Sequence, residues 1–192
     1  MATFAHRRRY TLQDYLAVEE MSPAVKHELV EGEIFAMAGG TVEHSALSTT
    51  FSGLLLAHLR GTSCRAHGSD LRIRIRAANV ATYADVAVVC DPVERDPDSN
   101  THVTNPRVVV EVLSPSTEDY DREDKRRLYQ MLPSLQEYVL VSQDARRIEL
   151  WRRDGEGWAQ SVHEAGERLS LPSIAFDLQV DELYALAGVA VP

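Results

Sequence analysis

Two cysteines, Cys64 and Cys90, are all the thiols in 192 residues, and they form no CxxC or other ligand spacing. That argues against a zinc site, and two isolated thiols are most simply read as reduced core residues. No apolar run approaches the ~18 residues a membrane span needs. The start of the chain, MATFAHRRRYTLQDYL, is basic but lacks the apolar segment of a signal peptide. A cytoplasmic protein with no membrane segment is expected. Positive charge is scarce: 20 Lys and Arg stand against 29 Asp and Glu, a net charge of -9. This excludes a protein whose whole surface clings to nucleic acid, because Lys and Arg supply most non-specific affinity. It leaves room for a local basic groove, or for a carboxylate cluster that meets a polyanion through a bound cation.

What is present is ordinary globular composition, 44% hydrophobic and 26% charged, without a repeat or low-complexity linker. The length predicts one domain over residues 1–192. Thr11 with Asp14 three residues later starts a short helix. KHELVEGEIFAMAGG reads as two extended stretches turning near Glu31 and Gly32. Leu47, Phe51, Leu54, Leu55 and Leu59 make the stripe of an amphipathic helix over 44–60. DLRIRIR alternates Leu71, Ile73 and Ile75 with Arg72, Arg74 and Arg76, as a half-buried strand should, and YADVAVVC is a second strand. DPVERDPDSNTHVTNP is a polar surface loop, and RVVVEVLS is the third and most apolar strand. A helix runs roughly 119–132, stopping at Pro133. Strands EYVLVS, RRIELWRR and WAQSVHE, a short RLSLPSI piece and a final DELYALAG helix complete the chain. The order helix, three strands, helix, strand specifies an α+β domain.

Glu111 is the anomaly, a charge in a run of valines where unpaired burial costs several kcal/mol. Strand parity places Val109, Glu111 and Leu113 on one face, and Tyr83, Asp85, Ala87 and Val89 on one face of the preceding strand. If the two strands are neighbours, Asp85 and Glu111 lie opposite, with Cβ atoms ~5 Å apart, and repel unless a cation sits between them. On the following helix Asp121, Lys125, Leu128, Tyr129 and Leu132 share one stripe, so Lys125 points inward and can reach the carboxylates. Two carboxylates and a lysine suit metal-assisted phosphodiester hydrolysis, in which oxygen ligands hold Mg²⁺ at ~2.1 Å and the lysine orients or deprotonates a water. Blander readings stand beside this one. Asp85 could be satisfied by backbone donors, Glu111 and Lys125 could be a structural ion pair, and Asp121 with Lys125 could be an exposed pair worth ~0.3 kcal/mol. The row Arg72, Arg74 and Arg76 could touch phosphates, or simply form the outer face of a strand. His44, Glu28 and Glu31 have both site and surface readings.

ELVEGEI, His44, YADVAVV and VVVEVLSPST, with Asp121, Lys125 and Tyr129 downstream, resemble the Uma-two family of endonuclease-like proteins in the restriction-endonuclease-like PD-(D/E)XK superfamily. The resemblance covers about residues 10–187, and VEVLSPST is its most specific part. It implies a core of helix, three antiparallel strands, helix and strand, with an N-terminal helix-hairpin and C-terminal strand and helix additions. It places the superfamily's Pro-Asp acid on Asp85 and its second acid on Glu111. Ala84 replaces the motif's proline and Leu113 its lysine, and the family likeness supplies the lysine from the next helix as Lys125. Glu28 and His44 are secondary candidates on the same grounds, with Asp121 beside them.

The expected activity is a Mg²⁺- or Mn²⁺-dependent endonuclease acting on DNA, with Asp85 and Glu111 as metal ligands, and a homodimer where both strands are cut. The alternatives are a catalytically inactive nuclease-like binding or regulatory module, and a hydrolase of another phosphate ester.

Overall fold

Capping and turn chemistry fix the first elements of the computed structural model, which describes residues 9–191. The Thr11 hydroxyl accepts from the Asp14 amide while the Asp14 carboxylate accepts from the Thr11 amide, a reciprocal capping box that starts α1 (Leu12–Met21). β1 (His27–Val30) and β2 (Glu33–Ala36) form the expected hairpin. Its two turn residues, Glu31 and Gly32, both have positive φ, the pattern of a type I′ turn, whose twist matches that of the strands. Thr41 caps α2 (Val42–His58), which buries Leu47, Phe51 and Leu55 along one stripe.

β3 (Cys64–Gly68), β4 (Arg72–Ile75), β5 (Val80–Tyr83), β6 (Val86–Cys90), β7 (Arg95–Asp96), β8 (Ser99–Val103) and β9 (Pro106–Val112) follow. A helical stretch then carries the chain to β10 (Glu137–Val141): α3 (Glu118–Tyr120), a π turn over Asp121–Lys125, and α4 (Arg126–Gln130). β11 (Arg147–Asp154), β12 (Gly157–Glu164), β13 (Arg168–Leu171), β14 (Phe176–Gln179) and α5 (Val180–Ala187) complete the α+β fold. One six-stranded sheet has the order β12-β11-β10-β9-β6-β3 and a second the order β2-β1-β5-β4-β8-β7, with β13 and β14 as a separate pair.

The core order of helix, three antiparallel strands, helix and strand is present, but its first strand is not the RIRIR segment. It is β3, which pairs antiparallel with β6, as β6 does with β9, while β10 joins β9 in parallel. β4 belongs to the second sheet. The reason lies in the burial of β3, whose five residues are half-buried or exposed and so carry no apolar alternation to read. YADVAVVC likewise divides: β5 ends at Tyr83 in one sheet, Ala84 and Asp85 make the crossing, and β6 begins at Val86 in the other. The stretch 91–106, expected as loop, contributes β7 and β8 and buries Asp96 and His102.

Cys64 and Cys90 are not free thiols. They face one another across β3 and β6 and form a disulfide, a pairing that the 26-residue separation concealed. The cysteines therefore give no support to a reducing compartment. No helix is long and apolar enough to cross a membrane among the described residues.

The central sheet has two covered faces. Val108, Val110 and Val112 pack with Leu47, Phe51, Leu55 and Leu183, the side of α2 and α5. Val109 and Leu113 pack with Leu128, Tyr129 and Leu132 of the helical crossover and with Ile73, Ile75 and Val80 of the second sheet. Each such aliphatic side chain contributes about 1.5–3 kcal/mol by leaving water. Glu111 shares the second face, so the strand that anchors the core delivers a carboxylate beneath the crossover helix.

Candidate active site

Asp85 and Glu111 meet where parity requires. Val86 pairs with Val110, so the preceding residue lies beside Glu111. The Asp85 amide is 3.3 Å from Glu111 Oε2, and the Val112 amide donates to Asp85 Oδ2 at 2.7 Å. Lys125 reaches over from the π turn, with Nζ 3.0 Å from Glu111 Oε1, 3.7 Å from Glu28 Oε1 and 3.8 Å from Asp121 Oδ1. His44, in the first turn of α2, brings Nε2 to 3.0 Å from Asp85 Oδ2. All six candidates, Glu28, His44, Asp85, Glu111, Asp121 and Lys125, thus form one connected group.

Each is held by local structure. Glu28 on β1 accepts from the Thr82 hydroxyl and, at 3.3 Å, from the Tyr83 amide on β5, so it belongs to the cluster rather than to the surface. Asp121 Oδ2 accepts from the Thr117 hydroxyl at 2.7 Å, and the Asp121 carbonyl accepts from the Tyr138 hydroxyl at 2.9 Å. That second bond ties the π turn to β10. A π turn rotates successive side chains less than an α turn does and is frequent at functional sites. The expected helix is therefore not regular where it matters, and Asp121 and Lys125 both lie inside the widened turn.

The electrostatics follow from four carboxylates around one ammonium. Burial, then the negative charges of Asp85 and Asp121, push the Glu111 carboxyl well above the usual carboxylate range against the pull of Lys125. Burial also raises Asp121, against Lys125 and the Thr117 hydroxyl. Burial alone would lower Lys125, but Glu111, Glu28 and Asp121 outweigh it and hold the ammonium well above its ordinary value. The hydrogen bond to Asp85 raises His44. Glu111 Oε1 is buried and meets the Lys125 ammonium, and Oε2 faces the Asp85 amide. The set carries more negative charge than Lys125 balances, and a further cation would relieve it.

This excess has a measurable consequence. Glu111, Asp121 and His44 all have folded pKa values above their unfolded ones, so each contributes stability below its unfolded pKa that is lost as pH rises through the folded value. Burial lowers His67, and lowers His102 to about 4, so these two are neutral in both states above about pH 7 and do not mask the trend. Metal-free protein is expected to lose stability as pH rises above about 6.5, where unfolded carboxyl and imidazole groups have given up protons that the raised folded groups hold more tightly, and Mn²⁺ to flatten that slope. Thermal unfolding across this range checks it. A slope of the same size with and without Mn²⁺ would place the excess charge elsewhere.

Gly40 has a specific role here. A Cβ at this position would lie 2.8 Å from His44 Nδ1 and 2.9 Å from the ring's Cγ. Gly40→Ala is expected to push the imidazole off Asp85 and return the His44 pKa toward its ordinary value, by NMR titration, with stability changed by less than about 1 kcal/mol. An unmoved His44 titration would show that the ring has another place to go.

The arginine row has other partners. Arg72 donates to Glu19 and to the Tyr83 hydroxyl, both at 2.8 Å. Arg74 is buried and donates to the Val80 carbonyl and Asn79, while Arg76 lies beyond the strand and pairs with Asp96 and Asp98. These guanidinium groups are engaged by Glu19 of α1, by the Val80 carbonyl and Asn79, and by Asp96 and Asp98, instead of standing free on an outer face.

A family model described as "Putative restriction endonuclease" (Uma2) matches residues 12–185. The chain is 44% identical over 173 residues to "Uncharacterized protein slr1290" of Synechocystis sp., covering 90% of each chain. It is 32% identical over 156 residues to "Uncharacterized protein sll1609" of the same organism, covering 81% of this chain and 88% of that one. A crystal structure titled as a putative nuclease belonging to DUF820, from Anabaena variabilis, superposes with a TM-score of 0.74 at 21% identity, covering 92% of this chain and 98% of that one. That likeness shows that the two chains share one α+β fold, consistent with a restriction-endonuclease-like core. The family match spans nearly the whole chain: the protein belongs to the Uma2 family, whose description points to nuclease activity.

Proposed function

We propose that the protein is a Mg²⁺- or Mn²⁺-dependent endonuclease that hydrolyses DNA phosphodiester bonds, with Asp85 and Glu111 as metal ligands and Lys125 as the cationic partner. The observation that carries this reading is the convergence of Asp85, Glu111 and Lys125, with Lys125 Nζ 3.0 Å from Glu111. Among the described residues no three His, Cys, Asp or Glu side chains form a ready-made metal cage. Mg²⁺ does not require one, since it keeps several waters and is held by one or two carboxylates plus substrate phosphate. The neighbouring Asp85 and Glu111, hard oxygen ligands in a set of four carboxylates around one ammonium, fit such an ion. When bound, it supplies charge neutralisation at the phosphate and a more acidic water.

The remaining work falls to the chain's own groups. Lys125 stays protonated among its carboxylates, so it acts as a donor that orients the attacking water and offsets developing negative charge, not as a base. The side chains of His44 and Asp85 are the more exposed members of the cluster, 19% and 18%. His44 is placed there to pass a proton toward solvent. Asp121 and Glu28 hold the ammonium in position from two further sides.

The second reading, a nuclease-like binding or regulatory module, is favoured by the net charge of -9 and by arginines already engaged with internal acids. Supercoiled plasmid incubated with Mn²⁺ and the wild type, Asp85→Ala or Lys125→Ala separates the two. Nicking by wild type and at least about 100-fold less by both variants is expected. Equal nicking by all three would indicate a contaminant and remove the assignment. Metal binding without nicking by the wild type would favour the module.

A further inference from the structure

Phe35 lies on β2 directly across from Glu28 on β1, so the two side chains share one face of the hairpin. At 50% exposure it is the most exposed aromatic among the described residues, although an exposed benzyl group gains nothing from water. The strand leads through Gly39 and Gly40 into α2, and a Cβ at position 40 would lie 2.8 Å from His44 Nδ1. Phe35 therefore stands beside Glu28, the member of the carboxylate cluster that the hairpin supplies. Tyr120 approaches Glu28 from the crossover helix, its ring half-buried and its hydroxyl buried without a hydrogen-bond partner. Burial raises the Tyr120 pKa first and Glu28 is the charge it feels most strongly.

We propose that Phe35 is a substrate-contact residue that stacks on the nucleobase next to the scissile phosphate, and that the strand accepted by the site is one whose base there is unpaired. The inference rests on the nuclease reading and deepens it. The surroundings favour a base over a phosphate contact: Glu28 lies across from Phe35 on the same face of the hairpin, and a neutral ring can lie on the phenyl face beside a carboxylate that would repel a phosphate. Stacking of this kind tolerates any base sequence, because every base presents a π face. It also requires the base to leave the duplex stack, which selects single strands, frayed ends and unpaired positions.

Two readouts separate this inference from the hydrolytic reading. In the first, wild type, Phe35→Ala and Phe35→Trp cleave a short single-stranded DNA with Mn²⁺. Phe35→Ala is expected to lower kcat/KM about 5- to 150-fold, mostly through KM, while Phe35→Trp retains activity. Replacing the base beside the cut by an abasic residue should penalise wild type and leave Phe35→Ala little changed. In the second, the same DNA carries 2-aminopurine at that position and is bound in Ca²⁺ without turnover, and wild type quenches its fluorescence while Phe35→Ala does not. Cleavage by Phe35→Ala equal to wild type, an abasic penalty equal in both proteins, or equal quenching would overturn the role of Phe35 and leave the nuclease reading intact. Absence of cleavage by the wild type would count against the nuclease reading, and the quenching comparison would then decide the base contact alone. The thermal midpoint of Phe35→Ala should match wild type, since its ring is half in water.

Discussion

Lys125→Met is expected to lose both activity and stability. The methionine keeps most of the stem but removes the charge that Glu111, Glu28 and Asp121 share at 3.0, 3.7 and 3.8 Å. Breaking a buried ion pair by deleting one partner typically costs 3–5 kcal/mol, because the other is left uncompensated, and here three carboxylates lose the same counter-ion. Nicking should fall at least about 100-fold, as when an electrostatic donor is removed from other sites. Part of the lost stability should return as pH is lowered and the orphaned carboxylates take up protons. Lys125→Arg is not expected to rescue, since a planar guanidinium does not fit the place of a compact ammonium that is only 9% exposed. Thermal unfolding and plasmid nicking at two pH values check this. A Lys125→Met protein as stable and active as wild type would remove the lysine from the account.

Glu111→Gln is expected to separate the two properties. Burial and the neighbouring Asp85 and Asp121 drive this carboxyl toward its neutral form, and only Lys125 opposes them. A glutamine of the same shape keeps the packing and removes repulsion with Asp85 and Asp121, while Lys125 keeps Glu28 and Asp121 as counter-ions, so the metal-free variant should unfold at the same temperature as wild type or higher. Nicking should nevertheless fall at least about 100-fold, because the uncharged amide is a poor ligand for a hard divalent cation. A residue whose replacement stabilises the protein while abolishing its reaction is retained for the reaction, a trade often found at active sites. If Glu111→Gln instead unfolds several degrees lower, Glu111 is chiefly the structural partner of Lys125.

The legibility of this site in the sequence was uneven for physical reasons. The pairing of Asp85 with Glu111 was accessible because side chains alternate along a strand, and Asp85, one residue before β6, continues the register in which Val86 pairs with Val110. Lys125 was accessible because its neighbours Leu128, Tyr129 and Leu132 are apolar and mark the inward stripe of the helix. The π turn was hidden, since nothing in DREDK distinguishes a widened turn from an α-helical one. Glu28 was ambiguous because its burial comes from β5, about 50 residues away, through Thr82 and Tyr83. The fold departs from the sequence pattern where a strand lacks a core alternation, as in β3, and where a strand with alternation joins the other sheet, as in β4. There Arg74 is buried as fully as many apolar residues because the Val80 carbonyl and Asn79 satisfy it. The polar sequence of β7 and β8 concealed a buried Asp96 and a His102 whose burial lowers its pKa to about 4.

Anomalous scattering from crystals grown with Mn²⁺ tests the central claim most directly. The account predicts one principal manganese peak within coordination distance of both an Asp85 and a Glu111 carboxylate oxygen, lost in Asp85→Ala crystals that keep the fold. Manganese bound elsewhere, or a site where Lys125 alone satisfies Glu111 at saturating metal, would contradict it.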